Sequence, residues 1–203
     1  SEPATAEDTA LGLLSRPGFA KLLAYRIFAM LSYQVVAVTV GWHIYEVTRN
    51  PFSLGLVGLA EVLPFFCVAP FAGYLVDHLP RRRLGMVACS GLIATALVLT
   101  GVATGWLSFE GVWPIYAAIA LTGMVRAFLS PIYNALFARV LARDQFARGA
   151  GLGAVVFQAG MVAGPALGGV LVGFGGKGLS YAVATAFALV AMACLATLKV
   201  EEP

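Results

Sequence analysis

The sequence predicts an all-α, polytopic membrane protein whose six helices form one bundle. Of its 203 residues, 60% are apolar and only 11% are charged, and the apolar residues fall into stretches of about 20, the length that crosses a bilayer as a helix. Soluble domains contain about 25% charged residues, and one soluble core cannot bury so large an apolar excess. The composition also excludes a disordered chain.

Six apolar stretches form the predicted spans, and short connections join them. They are apolar on all sides rather than at alternate residues, which excludes the strands of a membrane barrel. The predicted spans are 19–45, 54–76, 84–105, 113–138, 149–173 and 180–198. The remaining residues form a cytoplasmic tail over 1–18, and a cytoplasmic end or the start of a linker over 199–203.

Positive charge is distributed unevenly between the two sides of these spans. Because loops on the cytoplasmic side of a membrane are enriched in Lys and Arg, the more basic side is predicted to be cytoplasmic. The opposite side carries only Arg49 and Lys177. The basic side carries Arg16, Lys21, Arg26, Arg81, Arg82, Arg83, Arg139, Arg143, Arg148 and Lys199. We therefore expect an integral membrane protein, surrounded by membrane lipid, with both termini in the cytoplasm.

The two halves of the chain share a short motif of proline and glycine. Pro70 and Gly73 in the second predicted span have the same spacing as Pro165 and Gly168 in the fifth. Spans two and five are the middle helices of two three-helix halves, which fits the 3+3 inverted repeat of many transporters. The alternative is a chance match, since Pro and Gly are frequent in membrane helices.

The segment after the second span combines a glycine, a carboxylate and three arginines. Gly73 allows close approach of a neighbouring helix, and Asp77 can pair with a guanidinium or a helix N-terminus. The arginines can bind phosphate head groups, or they can be a topology signal alone. The segment resembles the loop 2–3 motif of the major facilitator superfamily, which Gly73, Asp77, Arg81 and Arg82 match.

This resemblance implies that the chain is one part of a larger transporter. In that family the loop is a conformational latch between the two six-helix halves of a transporter. The chain would then be the N-terminal half of a major-facilitator fold. Its partner would be a second six-helix bundle, either a missing C-terminal half or another copy. His78 and Pro80 depart from the motif, which usually has a basic residue and a glycine there.

The fifth predicted span carries a glycine motif that consists of Gly151, Gly160, Gly164, Pro165, Gly168 and Gly169. Three of these glycines recur every four residues and form a flat ridge for close helix packing, while the proline permits a kink. The alternative interpretation is ordinary packing of small residues. The complete motif resembles the antiporter motif of proton-coupled exporters in the same superfamily, which implies export and protons as a partner.

Two ionisable residues lie deep in the predicted spans, Glu61 in the second and Arg126 in the fourth. A charge there costs at least about 2.5–3.5 kcal/mol unless it is paired or wet. We expect Arg126 to face the bundle interior or a water-filled cavity, and Glu61 to face inward or to be protonated. Each is a candidate for coupling protons or sensing substrate charge. The alternatives are an ion pair that fixes helix register for Arg126, and a hydrogen bond that joins helices for Glu61. Gln34 and Asn134 are further candidates for lining a cavity, and Arg26 is expected to snorkel to the cytoplasmic interface.

Two stretches resemble a narrower branch of the superfamily, the transmembrane secretion effectors, which include enterobactin-exporter-like proteins. They are residues 41–59 and 126–136. The resemblance implies export of small amphipathic molecules, similar to drugs or siderophores, by alternating access in a bacterial inner membrane.

Other classes of function lack a motif in this sequence. There is no nucleotide-binding loop, no metal-ligand cluster and no convincing nucleophile dyad. We therefore predict no cofactor, no metal and no enzymatic activity. The arginines lie where topology requires them, so no nucleic-acid partner is expected. A non-transporting membrane scaffold and a membrane-embedded enzyme remain as alternatives.

Overall fold

The computed structural model describes residues 11–200, and within them it contains five long α-helices. Each is long and apolar enough to cross a membrane. They are α1 (Pro17–Thr48), α2 (Pro51–His78), α3 (Arg81–Thr104), α4 (Trp113–Val140) and α5 (Phe146–Ala196). This confirms the all-helical architecture. Residues 1–10 of the predicted tail and 201–203 of the predicted end lie outside the described residues.

Local sequence signals set several helix ends. Proline occupies the first turn of α1, α2 and α4. Backbone N–H groups in the first turn have no acceptor within the helix, so the N–H that proline lacks costs no hydrogen bond there. Arg49 ends α1 in the left-handed conformation, with φ 52°. The Asn50 side chain then accepts a hydrogen bond of 3.1 Å from the Phe52 N–H and begins α2. The turn between α1 and α2 is therefore only two residues long.

Helix α5 folds back on itself at Gly176, whose φ of 75° and ψ of −178° are not helical. The arm before Gly176 runs parallel to α1, and the arm after it runs antiparallel. The contacts that establish this are Gly160 with Met30 and Gly168 with Val38 on the first arm, and Ser180 with Thr39 and Thr197 with Lys21 on the second. The count of six membrane spans and the 3+3 repeat stay predictions.

Two apolar clusters form the core, one towards each end of the bundle. The cluster at the end with most basic residues contains Leu13, which is fully buried. Leu13 lies in a short turn of 3-10 helix, Leu11–Ser15. The Arg16 guanidinium donates a hydrogen bond of 3.0 Å to the Gln145 side chain. Part of the predicted tail is therefore packed against the bundle, and the folded part begins before residue 19.

Candidate functional site

Glu61 of α2 and Arg126 of α4 form an ion pair inside the bundle, through Glu61 Oε1 and Arg126 Nη1. Only 9% of Glu61 is exposed. The two residues are 65 positions apart in the chain, so the fold brings together the two intramembrane charges that the sequence singles out. Pairing removes most of the cost of burying each charge. Whether the pair couples protons or only fixes helix register stays a prediction.

A close crossing of α2 and α4 holds this pair in place. Gly123 lies against the backbone of Glu61, so closely that a Cβ atom at position 123 would overlap the Glu61 carbonyl oxygen. Sequence analysis did not identify Gly123. A signal was available, since Gly123 lies three residues before Arg126 and positions i and i+3 share a helix face.

Aromatic rings complete the surroundings of Arg126. Its guanidinium carbon lies 4.4 Å from the ring centroid of Tyr33 on α1 and 5.9 Å from that of Phe65 on α2. A guanidinium over an aromatic face is attracted by the ring quadrupole. Side chains from α1, α2 and α4 therefore converge on one charged group.

Arg26 of α1 packs against aromatic rings of two other helices. Its guanidinium carbon lies over two rings, 4.2 Å from the centroid of Tyr133 on α4 and 5.0 Å from that of Phe157 on α5. A guanidinium over an aromatic face is attracted by the ring quadrupole. Snorkelling of this side chain to the cytoplasmic interface stays a prediction.

Two adjacent cavities, of about 30 and 310 Å³, share Arg26, Tyr133 and Phe157 as lining residues. Asn134 and Gln158 add amide groups to the larger cavity, and both side chains are exposed. The predicted cavity-lining role of Asn134 thus agrees with its location. Gln158 is a lining residue that sequence analysis missed.

The glycine ridge of α5 packs against α1, but not with every glycine of the motif. Gly160, Gly164 and Gly168 are buried and contact Met30, Gln34 and Val38 respectively. The Gln34 amide oxygen is buried against Gly164 without a hydrogen-bond partner among the described residues. A Cβ at Gly151 or Gly169 would meet no atom within 4 Å, and Pro165 is exposed. The ridge therefore consists of three glycines.

The predicted latch lies at the basic end of the bundle. Asp77 is exposed and forms no ion pair with any residue in 11–200. Gly73 has open space around it, so no helix of the described part of the chain makes the predicted close approach there. Arg81 and Arg82 belong to the first turn of α3 rather than to a loop. The Arg82 guanidinium donates hydrogen bonds of 2.9 and 2.8 Å to the carbonyls of Leu195 and Ala196.

A second ion pair lies at the opposite end, where Lys177 Nζ is 2.6 Å from Glu46 Oε1. It joins the turn within α5 to the end of α1. Both side chains are partly exposed, so this pair contributes little to stability. It provides an exposed counterpart to the buried pair of Glu61 and Arg126.

Comparison with known proteins places these features in a family. The family model of the Major Facilitator Superfamily matches residues 22–203. "Probable anion transporter 4, chloroplastic" of Arabidopsis thaliana is 27% identical over 185 residues, which cover 85% of this chain and 34% of that protein. "Macrolide efflux protein A" of Streptococcus pyogenes is 22% identical over 156 residues, which cover 74% of this chain and 38% of that protein. The chain thus spans little more than a third of these relatives.

Proposed function

We propose, from the fact that this chain belongs to the Major Facilitator Superfamily, that it is the N-terminal bundle of a transporter. The transporter would export small amphipathic molecules in exchange for protons. Both termini would be cytoplasmic and the membrane would be a bacterial inner membrane, as the distribution of basic residues and the resemblance to secretion effectors suggest. The observation that carries the proposal is the buried ion pair of Glu61 and Arg126.

The ion pair can couple protons because its two members respond differently to a proton. A proton on Glu61 removes the negative charge and leaves the Arg126 guanidinium without its partner. The free energy of any conformation that excludes water from Arg126 then rises. The free energy of a conformation in which Arg126 contacts water or a substrate anion rises less. A ligand shifts a conformational equilibrium only by its differential affinity for the two states. A proton would bind Glu61 with different affinities in these two conformations, so it would shift the equilibrium between them.

The second six-helix bundle would cover the face that α2 leaves open. Few side chains of α2 are buried within the chain, and these are Val57, Glu61, Ala72 and Val76. The exposed Asp77 and the open surface at Gly73 lie at the basic end of the same helix. We propose that both contact the second bundle as part of the latch, together with Arg81 and Arg82. A missing C-terminal half or another copy would supply that bundle.

The ridge of α5 would allow one helix to slide on another during transport. Gly160, Gly164 and Gly168 present a surface without side chains to α1, which lowers the steric barrier to movement. The relatives suggest two substrate classes by their names, an anion for one and a macrolide for the other. We propose a drug-like or siderophore-like molecule that binds between the two bundles near the midplane.

Transport by the complete protein in proteoliposomes tests this proposal. A radiolabelled macrolide is loaded outside, and uptake is measured with and without an imposed pH gradient. We expect gradient-driven accumulation by the wild type. Glu61→Gln should lose at least 90% of that accumulation but keep gradient-free exchange, because the carboxyl no longer binds and releases a proton.

Glu46→Gln is the matched control, since it removes a carboxylate from the exposed ion pair. It should transport at the wild-type rate. Equal accumulation by Glu61→Gln and wild type would overturn proton coupling through Glu61. If neither the macrolide nor a siderophore-like anion moves with protons in the wild type, the exporter proposal fails, and a non-transporting scaffold or a membrane-embedded enzyme becomes the better explanation.

A further inference from the structure

Arg26 carries a charge within a membrane-length helix without a carboxylate to neutralise it. It lies nine residues after Pro17, the first residue of α1, which corresponds to about 14 Å along the helix. Within residues 11–200 it forms no ion pair. An arginine at the centre of a membrane-spanning helix costs about 2.5–3.5 kcal/mol unless it is paired or wet. Arg26 lies between the end and the centre of α1, and the cavity beside it can supply water or an anion.

The fold holds the Arg26 guanidinium in a fixed position and leaves space in front of it. Tyr133 and Phe157 contact the guanidinium through their ring faces. Gly153, which is buried on α5, contributes no side chain. A Cβ atom there would lie 3.2 Å from Arg26 Nη1 and 2.7 Å from Tyr133 Oη. A larger residue at position 153 would press on Tyr133 and Arg26 at the edge of the cavity.

The lining of the 310 Å³ cavity suits an organic carboxylate. A guanidinium binds a carboxylate through two parallel hydrogen bonds, and the side-chain amides of Asn134 and Gln158 can donate further ones. Tyr133 is 4% exposed, and its buried hydroxyl lies beside the Arg26 guanidinium without a hydrogen bond of regular geometry among the described residues. Phe137 and Phe157 form apolar walls, which suit an aromatic or aliphatic body.

We propose that this cavity binds the carboxylate of an amphipathic organic anion, with Arg26 as the charged ligand and Asn134 and Gln158 as hydrogen-bond donors. This inference rests on the proposed transport function, for which it names a substrate class and a site. The volume of the cavity, about 310 Å³, is near the lower limit of about 300 Å³ for small-molecule sites. The paired charges of Glu61 and Arg126 neutralise each other, so the unpaired Arg26 is the group that attracts an anion.

Three probes of the same shape test the proposal on the complete protein in neutral detergent. They are 2-naphthoate, 2-naphthamide and 2-naphthamidine, which are negative, neutral and positive. Equilibrium dialysis gives each Kd. We expect 2-naphthoate to bind at least tenfold more tightly than either of the others. Equal affinities, or no binding of 2-naphthoate, would overturn the proposal.

Substitutions then locate the binding site. Arg26→Gln should weaken 2-naphthoate binding at least tenfold, and Arg26→Lys should restore part of it because the charge is kept. Asn134→Leu should also weaken binding by removing an amide donor from the cavity while keeping the arginine, so the test remains decisive if Arg26→Gln fails to fold. Arg143→Gln, which removes an exposed arginine outside the cavity, is the control and should bind as the wild type does. Unchanged binding by both Arg26→Gln and Asn134→Leu would contradict the proposal.

An anionic lipid headgroup offers the same oxyanion chemistry, and a second arm of the experiment distinguishes the two sources. Binding of 2-naphthoate is measured in nanodiscs of phosphatidylcholine with and without phosphatidylglycerol. We expect equal affinity in both. A loss of affinity with phosphatidylglycerol that disappears in Arg26→Gln would assign the site to lipid and overturn the soluble-anion proposal.

The outcomes separate this inference from the proposed function. Macrolide transport without 2-naphthoate binding would contradict the anion site and leave the exporter intact. Binding of 2-naphthoate that depends on Arg26, without any gradient-driven transport, would contradict the exporter and leave the anion site intact.

Discussion

Arg126 and Arg26 are two arginines in membrane-length helices, and the structure treats them differently. Arg126 pairs with the Glu61 carboxylate and also contacts two aromatic rings. Arg26 has no carboxylate partner within residues 11–200; it contacts two aromatic rings and lines a cavity of about 310 Å³. The first site is neutral overall when both groups are ionised, and the second retains a positive charge. The difference separates a group suited to internal coupling from one suited to binding an external anion.

The backbone comes close to its neighbours at both arginines. Beside Arg126, Gly123 allows the backbones of α2 and α4 to touch. Beside Arg26, Gly153 allows the backbone of α5 to approach Tyr133 Oη and Arg26 Nη1. A glycine thus permits a close helix contact at each site, and the two sites differ instead in their charge balance and in the cavity beside Arg26.

The largest effect on this comparison should come from breaking the buried pair. Removing one member leaves an uncompensated charge, which costs about 3 kcal/mol, at the low end of the usual range because a third of Arg126 is exposed. Glu61→Gln should lower the free energy of unfolding by this amount, measured by titration with sodium dodecyl sulfate in mixed micelles. The double variant Glu61→Gln with Arg126→Gln should recover most of the loss. If both variants are equally stable, or equally unstable, the two groups do not act as a pair.

A smaller loss is expected from Gly123→Ala, which forces a methyl group against the Glu61 carbonyl. Overpacking of this kind costs about 1–3 kcal/mol. The same titration should detect it, and gradient-driven transport should fall with it. Gly58→Ala on α2 is the control, because its added methyl meets no atom within 4 Å. A Gly123→Ala variant as stable as Gly58→Ala would show that the crossing is not tight.

A substitution in the glycine ridge of α5, which packs against α1, should lower stability less than Gly123→Ala does. Gly164→Ala places a methyl group against the Gln34 side chain, which can move aside in part, so we expect a loss of about 1 kcal/mol. Gly169→Ala, in the same motif but without a contact, should leave stability unchanged. Thermal unfolding of the two variants side by side measures the difference. Equal losses would mean that the motif acts as a whole rather than through three glycines.

The smallest effect on stability should come from Arg26→Gln. Loss of the contacts with Tyr133 and Phe157 lowers the free energy of unfolding by about 0.5–2 kcal/mol. Removal of an unpaired charge from the span raises it by a similar amount. The net change in the free energy of unfolding should lie within about 1 kcal/mol, well below that of Glu61→Gln. A loss of stability as large as that of Glu61→Gln would indicate an anionic partner for Arg26. The two arginines would then not differ in their pairing.

Much of the architecture follows from local sequence alone. The apolar stretches predicted over 54–76 and 113–138 lie within α2 and α4, and the stretch over 84–105 extends one residue beyond α3. They are helical because a helix is the form in which a lipid-embedded backbone satisfies its own hydrogen bonds. The glycines at 160, 164 and 168 are predictable as a ridge, since residues four apart share a helix face. Sequence spacing could not tell that Gly151 and Gly169 lie outside it, because that depends on where α1 crosses α5.

The amino-acid sequence by itself determined that the chain spans a membrane as helices, and which residues are charged within them, since composition and periodicity are local properties. Only the tertiary structure decided that Glu61 pairs with Arg126 and that Arg26 lies between Tyr133 and Phe157 beside a cavity. Each of these contacts depends on how helices distant in the chain rotate and cross. That geometry results from packing all five helices together, so no single segment of the sequence contains it.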